Sequence, residues 1–367
     1  MNVDYSARQA KLRNIAGADA IAIVPGPNMV YFTGLHFHLS ERPIIALFTP
    51  DGNLSVIIPE LEIPKLDVRP DLEARAFGWK DKDGYVGAFE DAVRELGLRS
   101  KVLGIDGMTM RATEWFTFQS VDSSLRVKTV ENELTRIRAR KAPDEIEAIR
   151  QAIRLSEAAL DKLLAWVEPG MKEKAIAARL AEELTAQGSH GNSFEPLVQT
   201  GPNSAFPHGF TSQRALQADE FLLIDFGGSF NGYPADITRT FCLGSPSDEM
   251  QTIYDTVLRA NEAARNIAGP GVPMGAVDKA ARDLITEAGY GQYFIHRTGH
   301  GLGLDVHEPI PQIASGVEDL LEPGMTFTIE PGIYIPGLGG VRVEDNVAVT
   351  EDGLDVLTSY PRRLRVV

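Results

Sequence analysis

Five side chains in the second half of the sequence can bind a hard or borderline metal ion: Asp225, Asp236, His300, Glu330 and Glu344. They arrive on three separated segments. The first runs from Leu222-Leu-Ile-Asp-Phe-Gly-Gly to Asp236-Ile-Thr-Arg-Thr, the second is Thr298-Gly-His-Gly-Leu-Gly, and the third runs from Thr328-Ile-Glu-Pro-Gly to Val343-Glu-Asp-Asn. Four carboxylates and one imidazole make an oxygen-rich set, better suited to Mn²⁺, Co²⁺ or Zn²⁺ than to a soft metal. Four carboxylates also equal the formal charge of two divalent cations, so a two-metal site about 3.5–4 Å across is expected, with acids as terminal and bridging ligands.

Each residue has a plainer reading beside this one. An Asp near a turn is often a cap, but Asp225 sits inside the apolar run Phe221-Leu-Leu-Ile-Asp-Phe-Gly. Ser229-Phe-Asn-Gly232 reads as a hairpin turn. A turn centred between Phe230 and Asn231 would set Asp225 directly opposite Asp236, with Cβ atoms about 5 Å apart. Two bare carboxylates there would repel, and a shared cation removes that cost. A single His is commonly structural, yet His296, His300 and His307 fall within twelve residues among glycines. His208, in Phe206-Pro-His-Gly, is a further candidate. The glycines around His300 suggest close backbone approach, since neither the phosphate-loop nor the dinucleotide spacing is present. Glu330 ends a strand, and the period-two pattern puts Arg342 and Glu344 on one face of another. Ile335-Pro-Gly-Leu-Gly-Gly connects the two as a second hairpin with its acids at the open end. Glu344 and Arg342 could form a solvated surface pair, but the charge count favours the site. Cys242 reads as a small buried hydrophobe, not a nucleophile.

These residues must be held by a sizeable scaffold. A chain of 367 residues with 43% hydrophobic and 24% charged side chains is long enough for two domains. Ala20–Val24, Ile44–Phe48, Leu54–Ile58 and Val102–Asp106 read as strands, and Tyr85–Leu96 and Thr113–Gln119 as helices, so residues 1–125 form a small α/β domain. The basic stretch 125–141 leads to Pro143-Asp-Glu, a helix start. In that helix Ile146, Ile149, Ile153 and Leu160 share one face. Further helices are expected over Lys172–Gln187, from Pro246, and over Val277–Ala288. The second domain is therefore placed at 126–367. His36-Phe-His-Leu-Ser-Glu-Arg-Pro43 is a polar loop with a solvated charge pair, or else a place where His38 or Arg42 reaches a substrate carboxylate. A net charge of −15 excludes nucleic acid as a natural partner. No apolar run approaches the roughly 20 residues of a membrane span. With one cysteine and a polar N-terminus, the cytoplasm is the expected location.

The order Asp225, Asp236, His300, Glu330, Glu344, with its local motifs, resembles the metal-ligand set of the creatinase/methionine aminopeptidase ("pita-bread") metallopeptidases over residues 125–358. The preceding α/β domain, Phe206-Pro-His-Gly and Ile295-His-Arg-Thr-Gly-His-Gly-Leu-Gly-Leu-Asp-Val-His-Glu resemble the prolidase and aminopeptidase P branch. The resemblance implies an α/β (α+β) chain: a small creatinase-like domain, then a pita-bread domain whose curved, mostly antiparallel sheet is covered by helices. It implies that His208, His296 and His307 handle substrate and intermediate, that Arg342 supports the site, and that Glu330 doubles as proton shuttle. It also implies a homodimer and two divalent ions, foremost Mn²⁺, with Co²⁺ or Zn²⁺ as alternatives. The expected substrates are proline-containing di- or oligopeptides. The short Glu330–Glu344 connection and small first domain resemble prolidases, which cut Xaa-Pro dipeptides, more than aminopeptidase P enzymes, which release the first residue of longer peptides. The competing readings are a metal-free creatinase-like C–N hydrolase, a metal hydrolase of a non-peptide amide, and a non-catalytic peptide-binding protein. The intact ligand set weighs against the first and the last.

Overall fold

Continuous apolar runs need burial on both faces, and the N-terminal sheet supplies it. In a computed structural model that describes residues 3–367, the chain divides between Arg138 and Ala139 into two units. The first holds six strands: β1 (Ala20–Ile23), β2 (Ile45–Phe48), β3 (Leu54–Pro59), β4 (Arg75–Trp79), β5 (Val102–Ile105) and β6 (Arg126–Thr129). They form one mixed sheet in the order β4-β3-β2-β1-β5-β6. The apolar strands β1, β2 and β3 are buried along their whole length. The edge strands carry Arg75, Arg126 and Lys128 towards solvent, which blunts edge pairing. Helices α1 (Tyr5–Ala10), α2 (Pro27–Thr33), α3 (Pro64–Asp67), α4 (Val86–Glu95) and α5 (Ala112–Val121) fill the connections, and α6 (Glu131–Ala139) follows β6.

Three differences from the sequence reading share one cause, polar or turn-like composition. Pro25-Gly-Pro-Asn reads as a turn by composition, but Pro27 occupies the first turn of α2. The edge strands β4 and β6 lack a clean apolar pattern. Because β6 pairs with β5 over Val102–Ile105 and Arg126–Thr129, the domain boundary expected at 125/126 falls instead after Arg138.

The second unit opens with α7 (Pro143–Leu164) and α8 (Glu173–Ala186). Pro143 sits in the first turn of α7, and the Glu145 carboxylate accepts from the Ala142 N–H at 2.8 Å. Ile149, Ile153 and Leu160 are buried as the periodicity predicts, with Ile146 at the margin of the same cluster. The strands are β7 (Leu197–Thr200), β8 (Glu220–Phe226), β9 (Ser229–Phe230), β10 (Tyr233–Pro234) and β11 (Ile237–Leu243). After α9 (Asp248–Ile267) and α10 (Met274–Glu287) come β12 (Gly299–Gly301), β13 (Glu308–Ile313), β14 (Thr326–Ile329), β15 (Gly332–Ile335), β16 (Gly339–Arg342), β17 (Asp345–Val349) and β18 (Leu354–Val356). They form the sheets β11-β8-β7 and β13-β12-β14-β17-β18 and the ribbons β9-β10 and β15-β16. Every pairing is antiparallel.

Two registers position the acids. Asn231 and Gly232 both have positive φ, 50° and 83°, so they are the central residues of the tight turn between β9 and β10. That moves the turn centre one residue beyond the expected place. Asp225 therefore faces Thr238, not Asp236, and Asp236 sits just before β11. In the second hairpin one register runs through two ribbons, Ile329 with Asp345 and Gly332 with Arg342. Glu330 and Glu344 therefore lie opposite each other at the break between them, as the turn-rich connection suggested.

Candidate metal centre

The five candidate ligands converge. His300 and Asp236 are buried, as is Glu344. Ligand atoms of Asp225, Asp236 and Glu344 lie within 4.8 Å of one another, and so do those of His300, Glu330 and Glu344. Each is fixed by its strand. The Glu344 N–H donates to the Thr238 carbonyl at 3.1 Å, and the Glu330 N–H to the Thr298 carbonyl at 2.8 Å. The Asp236 N–H donates to Asn346 Oδ1 at 3.0 Å. The glycines flanking His300 allow close approach: a Cβ on Gly299 would stand 1.8 Å from the Thr328 carbonyl oxygen, and one on Gly301 2.4 Å from that of Ile310.

The electrostatics of this cluster are unbalanced. Burial, then Glu344 and Asp225, push the Asp236 carboxyl well above the usual range. Burial, then Glu330 and Asp225, do the same to Glu344. Burial raises Glu330 as well. The hydrogen bonds are sparse: Thr238 Oγ1 donates to Glu344 Oε2 at 2.6 Å, and Thr328 Oγ1 reaches Glu330 only at 3.4 Å. Asp225 Oδ1 is buried without a hydrogen-bond partner. An orphaned carboxylate oxygen beside three further acids is the donor set a divalent cation needs. His300 fits it too. Its Nδ1 lies 3.1 Å from the Gly301 carbonyl, which can only accept, so the proton is on Nδ1. The Nε2 lone pair is left facing Glu330 Oε1 at 3.4 Å and Asp236 Oδ2 at 3.5 Å. Burial lowers this imidazole to about 3, so it stays neutral and able to ligate.

A cavity of about 520 Å³ opens on the cluster, within the range of small-molecule sites. All five ligands line it, as do His208, His296, His307 and Arg342. His208 and His307 are exposed on its wall, and the His307 ring lies 4.0 Å, centroid to centroid, from that of His300. Both ring nitrogens of His296 are occupied within the protein. Nδ1 donates to the Arg297 carbonyl at 2.7 Å, so Nε2 accepts from the Tyr334 hydroxyl at 2.8 Å. Burial lowers it to about 4. The same hydroxyl accepts from Arg342 Nη1 at 2.8 Å, and Arg342 Nη2 donates to Asp225 Oδ2 at 2.5 Å. The partner of Arg342 is thus Asp225, not Glu344, and His296 stands at the far end of the chain that orients it.

Sequence reasoning missed Tyr334 and Thr238, which hold Arg342 and Glu344. Both are uncharged residues in strand patterns, and no spacing signal marks them. Arg297 also lines the cavity, beside candidates that drew the attention. His38 and Arg42 belong to the N-terminal unit. There His38 is exposed, and the Arg42 guanidinium is gripped by Asp81 at 3.0 and 2.8 Å and by Glu41 at 2.7 Å. Cys242 is a buried small residue of β11, its thiol pushed up to about 11 by burial.

Residues 147–351 match the family described as metallopeptidase family M24, and residues 8–140 the creatinase/prolidase N-terminal domain. An uncharacterized peptidase of Staphylococcus haemolyticus is 36% identical over 94% of this chain and 96% of its own. The crystal structure of a prolidase from Thermococcus sibiricus is similar with a TM-score of 0.94 at 33% identity, covering 100% of both chains. That of an X-Pro aminopeptidase from Thermotoga maritima has a TM-score of 0.85 at 32% identity, covering 99% of this chain and 100% of its own. With its antiparallel metal-site unit preceded by a creatinase-type domain, the chain belongs to metallopeptidase family M24.

Proposed function

We propose that this metallopeptidase hydrolyses the peptide bond before proline in Xaa-Pro dipeptides. The observation that carries the reading is the cluster of four carboxylates and His300 on one cavity wall, with Asp225 Oδ1 buried and unpartnered. The proline preference is supported by the likeness to the Thermococcus sibiricus prolidase. Asp225, Asp236, His300, Glu330 and Glu344 would hold two divalent ions, with Mn²⁺ suited to so oxygen-rich a set. Bound there, such ions would acidify the attacking water and polarise the scissile carbonyl.

The remaining work falls to side chains. Arg342, held by Tyr334 and Thr238, donates to Asp225 and orients it. The Glu330 carboxylate takes a proton from the attacking water and gives it to the leaving proline nitrogen. His208 and His307 offer imidazole N–H donors to the developing oxyanion. The reading includes a homodimer and a cytoplasmic location.

The test is hydrolysis of Ala-Pro and Ala-Pro-Ala after the chelated protein is reloaded with Mn²⁺, with elemental analysis and sedimentation alongside. Faster cleavage of the dipeptide supports the prolidase. Preference for the tripeptide makes it an aminopeptidase P, the second reading, which the likeness to the Thermotoga maritima enzyme favours. Silence on both sinks the proline-peptidase assignment.

A further inference from the structure

We infer that Glu173, which does not line the cavity, is a positioning residue: it closes the loop that carries His208 and so fixes where that imidazole meets the substrate. This role rests on the reading of His208 as a donor to the oxyanion. The loop runs from Thr200, the end of β7, to Ser212, and His208 lies on its exposed crest. Apolar burial does not anchor the crest, since Phe206 is 63% exposed and Phe210 89%. Hydrogen bonds shape it instead. The Phe206 carbonyl accepts from the Gly209 N–H at 3.0 Å and from Gln199 Nε2 at 3.1 Å, so Pro207 and His208 are the central residues of a tight turn. The Thr211 hydroxyl ties one limb to the start of β7, accepting from the Val198 N–H at 2.9 Å and donating to the Pro196 carbonyl at 3.2 Å. These bonds give the turn its form. Its place over the cavity depends on what holds the two limbs together.

Both limbs end on one carboxylate. Glu173 is the first residue of α8 and is fully buried. Its Oε1 accepts from the Thr200 N–H at 2.8 Å and the Thr200 hydroxyl at 2.9 Å. Its Oε2 accepts from the Ser212 N–H at 2.8 Å and the Ser212 hydroxyl at 2.6 Å. Asn203 Nδ2 spans the two oxygens at 3.0 and 3.2 Å. The hydroxyl protons have no other way to turn. Arg214 Nη1 donates to Thr200 Oγ1 at 2.6 Å, and Asn203 Nδ2 and the Arg214 N–H donate to Ser212 Oγ at 3.1 and 3.0 Å, so both hydroxyls give their own protons to Glu173. Every partner of the carboxylate is thus a donor, and a side chain without two acceptor oxygens would leave buried donors unmatched. Helix α8 has no need of this acid for its own docking, because Ile176, Leu180 and Leu184 bury it in the core. The carboxylate serves the loop.

The experiment is a double-mutant cycle on Ala-Pro hydrolysis by the Mn²⁺-loaded protein, with wild type, Glu173→Gln, His208→Ala and the double variant. Glutamine keeps the shape but turns an amide NH₂ onto the donors of Thr200 or Ser212. His208→Ala lowers kcat about 100-fold, the scale of a lost oxyanion donor. Glu173→Gln lowers kcat about 10- to 30-fold with KM and metal content little changed, yet adds less than about 3-fold in the His208→Ala background. Ser212→Ala, which removes one donor of the clasp, gives the same pattern at about 3- to 10-fold and stands in should Glu173→Gln fail to fold. A second readout needs no turnover: in metal-free protein with isotope-labelled histidine, Glu173→Gln displaces the NMR signals of the His208 ring and leaves those of His296 and His300 in place. Glu173→Gln activity within about 3-fold of wild type, or an equal fall with and without His208, makes Glu173 a brace of the fold alone and overturns the inference. A wild type silent on Ala-Pro refutes the dipeptidase reading by itself. The His208 signals then decide, and signals unmoved by Glu173→Gln overturn the inference too, while displaced ones uphold the clasp.

Discussion

Glu344 and Asp345 are neighbours in the chain, both buried and both acidic, and they lie in opposite electrostatic worlds. Successive side chains of an extended strand point to opposite faces. Glu344 turns towards Asp225, Asp236 and Glu330, takes one hydrogen bond from Thr238, and its carboxyl is pushed up. Asp345 turns towards three guanidinium groups, Arg239 at 2.9 Å, Arg265 at 3.5 Å and Arg362 at 2.6 Å. The strand β11 repeats the division: the Thr238 hydroxyl serves the acidic face and Arg239 the basic one. A buried charge is tolerated only when it is paired. On one face the chain supplies its own cations and the result is a brace. On the other it leaves the acids in excess, and the balance must be completed by ions from outside.

The largest test of that contrast is a pair of isosteric changes. Glu344→Gln, and likewise Asp236→Asn, should lower Ala-Pro hydrolysis by at least about 10³-fold and reduce metal content, yet leave the melting temperature in chelator unchanged or higher, because a repulsive charge is gone. Retention of both metals with near-normal turnover would refute the ligand assignment. Asp345→Asn should behave oppositely, keeping its metals but losing about 3–5 kcal/mol of stability, since Arg239 is then buried without its counter-charge. Urea unfolding measures it, and a loss below about 1 kcal/mol would mean the brace is no brace.

The next effect is the pH dependence of the metal-free protein. Asp236, Glu330 and Glu344 have folded-state pKa values above their unfolded ones. The folded state then holds more protons, so their contribution is most favourable below about pH 4 and is lost as pH rises through the raised values. Thermal melts in chelator should fall from pH 5 to pH 8, while melts with Mn²⁺ should not follow them. Parallel curves would contradict the picture of an acid cluster relieved by metal. The smallest effect expected is that of Tyr334→Phe, which unlinks His296 from Arg342 and should lower kcat about 10-fold with KM little changed. A loss confined to KM would instead make Tyr334 a substrate contact.

Much of the architecture was legible because the residues that build it are locally marked. Apolar runs bounded by turns located β1, β2, β3 and β5, and the Ile149, Ile153, Leu160 spacing located α7. What escaped was marked weakly. The edge strand β6 buries no side chain fully, so its sequence lacks the alternation that burial imposes, and the domain boundary was misplaced with it; β4 buries only Phe77 and Trp79, too short a pattern to mark a strand. One residue of error in the turn at Asn231-Gly232 paired Asp225 with Asp236, when Thr238 stands there. The resemblance grouped His296 with the substrate-handling histidines, and only the fold shows that its two nitrogens meet the Arg297 carbonyl and the Tyr334 hydroxyl.

By itself the sequence determined the donor chemistry, because four carboxylates and an imidazole in ordered motifs carry their charge and softness wherever they fold. It also determined that a small α/β unit precedes the unit carrying these ligands, since the periodicity of burial is written locally. Only the tertiary structure decided which charges are satisfied. Glu344 and Asp345 look alike in the chain, because pairing depends on partners up to 117 residues away, as between Asp225 and Arg342. Long-range register brings those partners together, and no local pattern records it.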